Sequence, residues 1–264
     1  MNATVTYIGG PTALIEIGGL RLLTDPTFDP PGTEYPANGY TLRKTLGPAL
    51  GPKALGRIDA VLLSHDHHAD NLDRSGRALL ANLPRVLTTG EGAQRLGGNA
   101  LGLAPWQHVD LDSEVMGRVR IIATPARHGP HGGDRGPVIG FVIVAAQGAV
   151  YVSGDTVWYD GVVDVARRFH VALALLFLGA ARVQVAGPAH LTFTAEEATV
   201  AARALHGATI APLHYEGWEH FTESRALVDS TFARVGLKHR LAWLEPGLPR
   251  SFELGTAFRR PLAA

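Results

Sequence analysis

The sequence contains no cysteine among its 264 residues. This absence excludes a disulfide framework and a thiolate metal site, so any metal ligands must be histidine, aspartate or glutamate. An excess of charge is also missing, because 24 basic and 24 acidic residues give a formal net charge of +0. A neutral chain without a basic tract does not attract nucleic acid or an anionic membrane surface. We therefore expect a small-molecule substrate and no nucleic-acid partner.

Long apolar runs are absent as well. The longest run, residues 171–181, is far below the ~20 residues that span a bilayer. Residues 1–8 do not show the basic segment followed by an apolar one that marks a signal peptide. We expect no stable membrane insertion and a cytoplasmic location. Because no repeat, linker or low-complexity tract is visible, we also expect a single domain over residues 1–264; the oligomeric state is not indicated.

One stretch concentrates the polar chemistry of the chain. Residues 61–73 read V-L-L-S-H-D-H-H-A-D-N-L-D, in which an apolar strand-like run ends at Ser64. The cluster that follows contains His65, Asp66, His67, His68, Asp70 and Asp73. Three imidazoles and three carboxylates are costly to bury unless a cation binds them. A solvated polar loop is the alternative, and the position at the end of a buried strand favours the metal site.

Three other apolar runs end in candidate ligands. They are followed by Arg127-His128, by Gly154-Asp155 and by His214. Strand ends on one edge of a sheet lie close together, so residues far apart in the sequence can form one site. This repetition is the strongest indication of a shared metal centre.

The apolar pattern predicts an α+β fold. Residues 3–24 form three short strands separated by Gly-Gly turns, and the later chain alternates strands with helices. The motif T-A-E-E at residues 194–197 predicts a helix that starts with a capping box, and residues 240–244 predict a closing strand. This order favours two mixed sheets with helices on their outer faces. The Pro- and Gly-rich segment 28–57 is equally compatible with a lid or binding loop and with a structural Ω-loop.

These motifs resemble those of the metallo-β-lactamase superfamily, whose signature is H-x-H-x-D-H. The motifs L-L-T-D-P, T-P-A-R-H, S-G-D-T and A-E-E-A, at residues 22–26, 124–128, 153–156 and 195–198, are similar to the branch containing L-ascorbate-6-phosphate lactonase and the N-acylphosphatidylethanolamine-hydrolysing phospholipase D. The resemblance covers nearly the whole chain. It implies an αββα sandwich, in agreement with the strand order.

The resemblance also implies roles for individual residues. His65, His67 and His128 match the ligands of a first metal, Asp155 matches a bridging carboxylate, and His214 matches a ligand of a second metal. The motif departs from the family pattern in its middle, where Ala69 and Asp70 stand in place of Asp and His.

Two alignments of this altered motif remain open. In one, Asp70 takes the Asp role and Asn71 replaces the last His of the motif. In the other, the pairing shifts and His68 becomes a ligand. We favour His65, His67 and Asp70, with His68 as the alternate. His190, which precedes the predicted capped helix, is expected to line the pocket, so the catalytic candidates are Asp70, His68 and His190.

The chemistry follows from these ligands. A metal lowers the pKa of bound water from 15.7 to roughly 7, and Asp70 is expected to orient the attacking water and accept its proton. We expect one or two Zn²⁺ ions, with Mn²⁺ or Fe²⁺ possible at the weaker second site. The predicted function is hydrolysis of an ester, lactone, amide or phosphodiester bond of a small or medium substrate. A non-catalytic binding protein and a di-iron redox relative are the alternatives.

Overall fold

The structure is a computed structural model that describes residues 1–37, 39–132, 135–145 and 148–255. Its strands are β1 (Asn2–Gly9), β2 (Thr12–Ile17), β3 (Leu20–Thr24), β4 (Glu34–Ala37), β5 (Tyr40–Arg43), β6 (Ala60–Leu62), β7 (Val86–Thr88), β8 (Ala100–Gly102), β9 (His108–Ser113), β10 (Gly117–Pro125), β11 (Ile139–Ala145), β12 (Gly148–Val152), β13 (Val171–Phe177), β14 (Thr209–Leu213) and β15 (Pro249–Glu253). Its α-helices are α1 (Arg74–Leu80), α2 (Gly90–Leu96), α3 (Asp160–Arg168), α4 (Ala195–Ala204) and α5 (Arg225–Arg234). Short 3-10 helices lie at Pro52–Leu55, Gln184–Ala186 and Lys238–Arg240.

Two mixed sheets form the centre of the fold. The first has seven strands in the order β15-β1-β2-β3-β6-β7-β8, and the second has six in the order β14-β13-β12-β11-β10-β9. Strands β12, β13 and β14 run parallel to one another, as do β3, β6, β7 and β8. Parallel neighbours bring their carboxyl ends to the same edge of a sheet, where functional side chains can meet.

Alternating apolar residues explain why both sheets are covered on both faces. On β6, Ala60 and Leu62 join the core between the two sheets, whereas Val61 faces the outer cluster that includes Leu80 of α1. Strand β13 alternates in the same way between the central core and a cluster built on α3, α4 and α5. Because successive strand residues point to opposite faces, each strand contributes to two cores. The result is the predicted αββα sandwich, and the α+β fold class is confirmed.

The segment 28–57 contains the antiparallel hairpin β4–β5, and a buried ion pair attaches it to the rest of the fold. Lys44 Nζ lies 2.9 Å from Asp73 Oδ2, with the two side chains 4% and 0% exposed. The Asp73 carboxylate also accepts a hydrogen bond from the Gly76 backbone, which caps the first turn of α1. The hairpin is therefore held against the start of α1.

Two local predictions have different outcomes. The capping box is confirmed, since the Thr194 side chain accepts from the Glu197 backbone and the Glu197 side chain accepts from the Thr194 backbone. The closing strand predicted at residues 240–244 is wrong. Only Leu241 makes an isolated bridge, to Ile210, and this stretch otherwise follows a 3-10 turn. None of the helices that the structure describes has the length and apolar character of a membrane span.

Candidate metal centre

Four strand ends meet at one edge of the sandwich. His65 follows β6, His128 follows β10, Asp155 follows β12, and His214 follows β14. The backbone N–H of Ile139 donates to the Ser64 carbonyl at 3.1 Å, which ties the end of β6 in the first sheet to the second sheet. The convergence predicted from the strand ends is therefore present in the structure.

The first group of possible ligands consists of His65, His68 and His128. His68 Nδ1 lies 2.9 Å from His65 Nε2 and 3.1 Å from His128 Nε2. His128 Nδ1 donates to the Leu191 carbonyl at 2.9 Å, so the proton is on Nδ1 and Nε2 carries a free lone pair. His65 Nδ1 lies 2.9 Å from the Ser64 hydroxyl, which leaves its Nε2 facing the group in the same way. His68 Nδ1 carries at most one proton and can donate to only one of these two nitrogens, so at least one pair of lone pairs faces each other unless a cation lies between them.

The second group consists of Asp70, Asp155 and His214. His214 Nε2 lies 3.4 Å from Asp70 Oδ2 and 3.5 Å from Asp155 Oδ1. His214 has a φ of 53°, in the left-handed region, and its backbone N–H donates to the Gly10 carbonyl at 2.8 Å. A residue other than glycine rarely adopts this conformation, so the turn after β14 stores backbone strain at the site.

Asp155 connects the two groups. Its Oδ2 lies 3.5 Å from His128 Nε2 and 4.0 Å from His65 Nε2, while its Oδ1 faces His214. Both carboxylate oxygens are buried and have no hydrogen-bond partner in the part of the chain that the structure describes. A buried carboxylate without partners is costly. Divalent metal ions, bound by the imidazoles on either side and by this carboxylate, fit the donor set and would remove that cost.

The electrostatics of the two groups differ. Burial, together with the neighbouring imidazoles, holds the pKa of His65 well below its ordinary value and lowers that of His68 to about 3. Both rings are therefore neutral at pH 7, the form that binds a metal. Burial alone would lower the pKa of His214, but the carboxylates of Asp155 and Asp70 outweigh it and raise that pKa to about 10. Metal binding at the second group would consequently release the His214 proton.

The structure does not bring His67 into either group. Its Nε2 lies 2.9 Å from the carbonyl oxygen of Arg135, and its side chain is exposed. His68 occupies the place beside His65 and His128 that the favoured alignment gave to His67. A turn explains the difference, because the backbone N–H groups of Asn71 and Leu72 both bond to the His68 carbonyl. This turn directs the His68 ring inward.

Other predicted residues lie elsewhere. His190 Nε2 lies 3.0 Å from Glu197 Oε1, so this histidine belongs to the entry of α4 and not to the two groups. Two nearby carboxylates do not orient the imidazoles, since Asp25 accepts from the Ser64 backbone at 2.6 Å and Asp73 bonds Lys44 and the start of α1. The acceptors next to the imidazoles are the Leu191 carbonyl and the Ser64 hydroxyl.

A small cavity opens over both groups. Its volume of about 20 Å³ is enough for a water molecule. It is lined by His68, Asp70, His128 and His220, and by Tyr40, Leu42, Arg135, Ala181, Val183 and Leu191. Sequence reasoning did not identify Arg135, which lies in a loop without a motif. A larger cavity, of about 280 Å³, lies beside Tyr7 and Trp218, but it is lined by none of the residues of the two groups.

Comparisons with known proteins find relatives of the same fold. A metal-dependent hydrolase from Caldivirga maquilingensis is 25% identical over 250 residues, which cover 91% of this chain and 94% of the relative. The structure of isothiocyanate hydrolase from Delia radicum gut bacteria superposes with a TM-score of 0.79 at 21% identity, covering 95% of this chain and 99% of that one. The structure of a possible metal-dependent hydrolase from Veillonella parvula gives the same TM-score and coverage at 20% identity.

The sandwich and the paired His and Asp groups at its edge define a metal-dependent hydrolase of the metallo-β-lactamase fold. The chain belongs to the Beta-lactamase superfamily domain family, which matches residues 20–215. That region contains every residue of the two groups. The enzyme prediction is thereby confirmed over the non-catalytic alternative.

Substitution of His68 tests which histidine completes the first group. We expect His68→Asn to weaken binding of the first metal by at least about 100-fold. Loss of a residue that only hydrogen-bonds a metal ligand weakens metal binding about 10–100-fold, and loss of the ligand itself should cost more. The matched variant His67→Asn should keep metal affinity close to that of the wild type. Metal content after dialysis against graded chelator measures both. The opposite ranking of the two variants would restore the alignment that uses His67.

Proposed function

We propose that the protein hydrolyses an ester, lactone, amide or phosphodiester bond of a small or medium substrate with one or two divalent metal ions. The observation that carries this proposal is the sharing of Asp155 between the two groups of ligands. The first group, with three imidazoles and one carboxylate, suits Zn²⁺. The second group is richer in carboxylate and also suits a harder ion such as Mn²⁺ or Fe²⁺.

Bound metal would supply the nucleophile at neutral pH and polarise the scissile carbonyl or phosphoryl oxygen. The carboxylate of Asp70 lines the cavity beside His214 and His220. Burial alone would raise the pKa of Asp70, but hydrogen bonds from these two histidines outweigh it and hold the pKa well below its usual range. Asp70 is therefore ionised throughout the neutral range. We assign Asp70 the role of binding and orienting water in the cavity, and not the role of a general base that accepts the proton of the water.

The cavity itself has room for only a water molecule, so the substrate class is inferred from the chemistry of the side chains around it. Leu42, Val183 and Leu191 give it an apolar side that suits an acyl or alkyl group. Arg135 adds a cationic group to the lining, and its guanidinium donates to the Tyr40 hydroxyl at 3.0 Å. A guanidinium in the lining favours a substrate that carries a carboxylate or phosphate near the scissile bond. We infer that the substrate combines a short apolar group with an anionic or strongly polar one.

A matched substrate screen tests the proposal. Metal-free protein is reconstituted separately with Zn²⁺, Mn²⁺ and Fe²⁺ and assayed against ester, lactone, amide and phosphodiester substrates, each in a neutral and an anionic form. We expect metal-dependent turnover of at least one bond class that is abolished by chelator and recovered on adding metal back. Absence of bound metal after reconstitution, or turnover that chelator leaves unchanged, would contradict the proposal.

A further inference from the structure

The second group lacks an imidazole when it is compared with the family signature. Asn71 stands where the signature ends in His if Asp70 takes the Asp role. Asn71 is fully buried, and neither its amide oxygen nor its amide nitrogen has a hydrogen-bond partner among the described residues. An amide is a poor ligand for zinc. With only Asp70, Asp155 and His214, the second group therefore offers a divalent ion two carboxylates and a single nitrogen.

His220 brings another imidazole to the same carboxylate. Its Nε2 lies 3.0 Å from Asp70 Oδ2, the oxygen that His214 Nε2 approaches at 3.4 Å. The side chain of His220 is 9% exposed and lines the cavity over both groups. Two imidazole nitrogens thus approach one carboxylate oxygen from within the site. His220 lies beyond the region that matches the family, which ends at residue 215.

Building on the two-metal form of the proposed function, we propose that His220 supplies the imidazole that the altered motif lacks and binds the second metal together with Asp70, Asp155 and His214. The ligand would then come from the segment after β14 and not from the turn after β6. This arrangement leaves a donor set of two carboxylates and two imidazoles, which suits Zn²⁺, Mn²⁺ or Fe²⁺.

The surrounding contacts place His220 firmly. Its carbonyl oxygen accepts from the Arg182 backbone at 3.0 Å, and the neighbouring Glu219 N–H donates to the Arg43 carbonyl at 3.0 Å. The Phe221 ring packs 4.6 Å from the His220 ring and 4.9 Å from the His214 ring, measured between centroids. A ligand that is held in place by its own backbone and by an aromatic neighbour loses little freedom when it binds a metal.

Metal affinity of His220 variants tests the proposal directly. Metal-free wild type and His220→Ala are titrated with Zn²⁺ and with Co²⁺ against a competing chelator, and the Co²⁺ absorption spectrum is recorded at each stoichiometry. We expect the first ion to bind both proteins equally, and the second ion to bind His220→Ala at least about 100-fold more weakly. Added imidazole should restore part of the second-site spectrum in His220→Ala.

A second variant separates a ligand from a residue that only orients Asp70. His220→Gln keeps an N–H donor for Asp70 but has no imidazole nitrogen. We expect it to lose the second ion as His220→Ala does; recovery of wild-type affinity would show that His220 acts only through Asp70 and would overturn the proposal. Unchanged binding of two ions by His220→Ala would overturn it too, while leaving the proposed function intact. A wild type that binds no metal would instead contradict the proposed function.

Discussion

Asp155→Asn is expected to lower metal affinity at both groups by at least about 100-fold and to reduce hydrolytic activity to about 1% or less. The losses of metal affinity and of activity should each be at least as large as those caused by removing a residue that only hydrogen-bonds a metal ligand. The substitution keeps the shape of the side chain but removes its negative charge and one of its two oxygens. Because one oxygen faces His128 and the other faces His214, a single change affects both ions. Metal analysis after dialysis and turnover with added metal measure the two losses separately.

A different effect is expected when the metal has been removed. Burial alone would raise the pKa of Asp155, but the neighbouring imidazoles, His214 first, outweigh it and hold the pKa below its ordinary value. The charge of Asp155 therefore contributes stability to the metal-free fold at neutral pH. Metal-free Asp155→Asn should be less stable to denaturant than the metal-free wild type, because His214 loses a charged partner. Asp164→Asn, on the exposed face of α3, is the matched control and should leave metal content and activity unchanged. Binding of two ions by Asp155→Asn would contradict the bridging role.

The fold could be predicted because the pattern of apolar residues within each short segment indicates its secondary structure and its buried face. Alternation of apolar residues along β2 and β6 assigns one face of each strand to the central core and the other to a helical layer. The false strand at residues 240–244 shows the limit of this signal. Ala242 and Leu244 are buried and Leu241 and Trp243 are partly buried, but the stretch packs as an irregular segment after a 3-10 turn and pairs only through Leu241. Burial is visible in the sequence, whereas hydrogen-bond partners are not.

The location of the site was also predictable, because four apolar strands each end in a possible ligand. The choice between His67 and His68 was not. It depends on the turn in which the His68 carbonyl accepts from Asn71 and Leu72, and that turn follows from packing around the whole loop. Neighbouring residues with the same side chain give no sequence signal about which one points inward.

His220 was visible in the sequence as an aromatic-rich segment after His214, without a defined role. Its position depends on pairing with a distant segment, since Trp218 forms a bridge with Lys44 and the Thr45 N–H donates to the Gly217 carbonyl at 2.8 Å. Segment 28–57, which was compatible with a binding loop or an Ω-loop, therefore does two things. Its hairpin lines the cavity through Tyr40 and Leu42, and its end holds the chain that carries His220.

This coupling predicts that Lys44→Met will destabilise the protein strongly, although Lys44 is outside the two groups. The Lys44 ammonium offsets the fully buried Asp73 carboxylate at 2.9 Å, and Asp73 also accepts from the Asp29 backbone at 2.6 Å. Removing one partner of a buried ion pair leaves an uncompensated charge, which costs about 3–5 kcal/mol. Such a loss is a large part of the roughly 5–15 kcal/mol that stabilises a typical fold.

Urea unfolding of the metal-free protein measures the Lys44→Met effect without a contribution from metal binding, and a fall in the midpoint with an unchanged slope identifies a loss of stability. Arg120→Met is the matched control, because it breaks an exposed ion pair with Asp110, at 2.7 Å, and should change the midpoint far less. Equal effects of the two variants would show that the buried ion pair does not stabilise the fold more than an exposed one.

Where Lys44→Met remains folded, the loosened contact with Trp218 should also weaken binding of the second metal more than binding of the first. Only the second group depends on the segment that follows β14, so stability and metal selectivity should fall together in this variant and in no surface control.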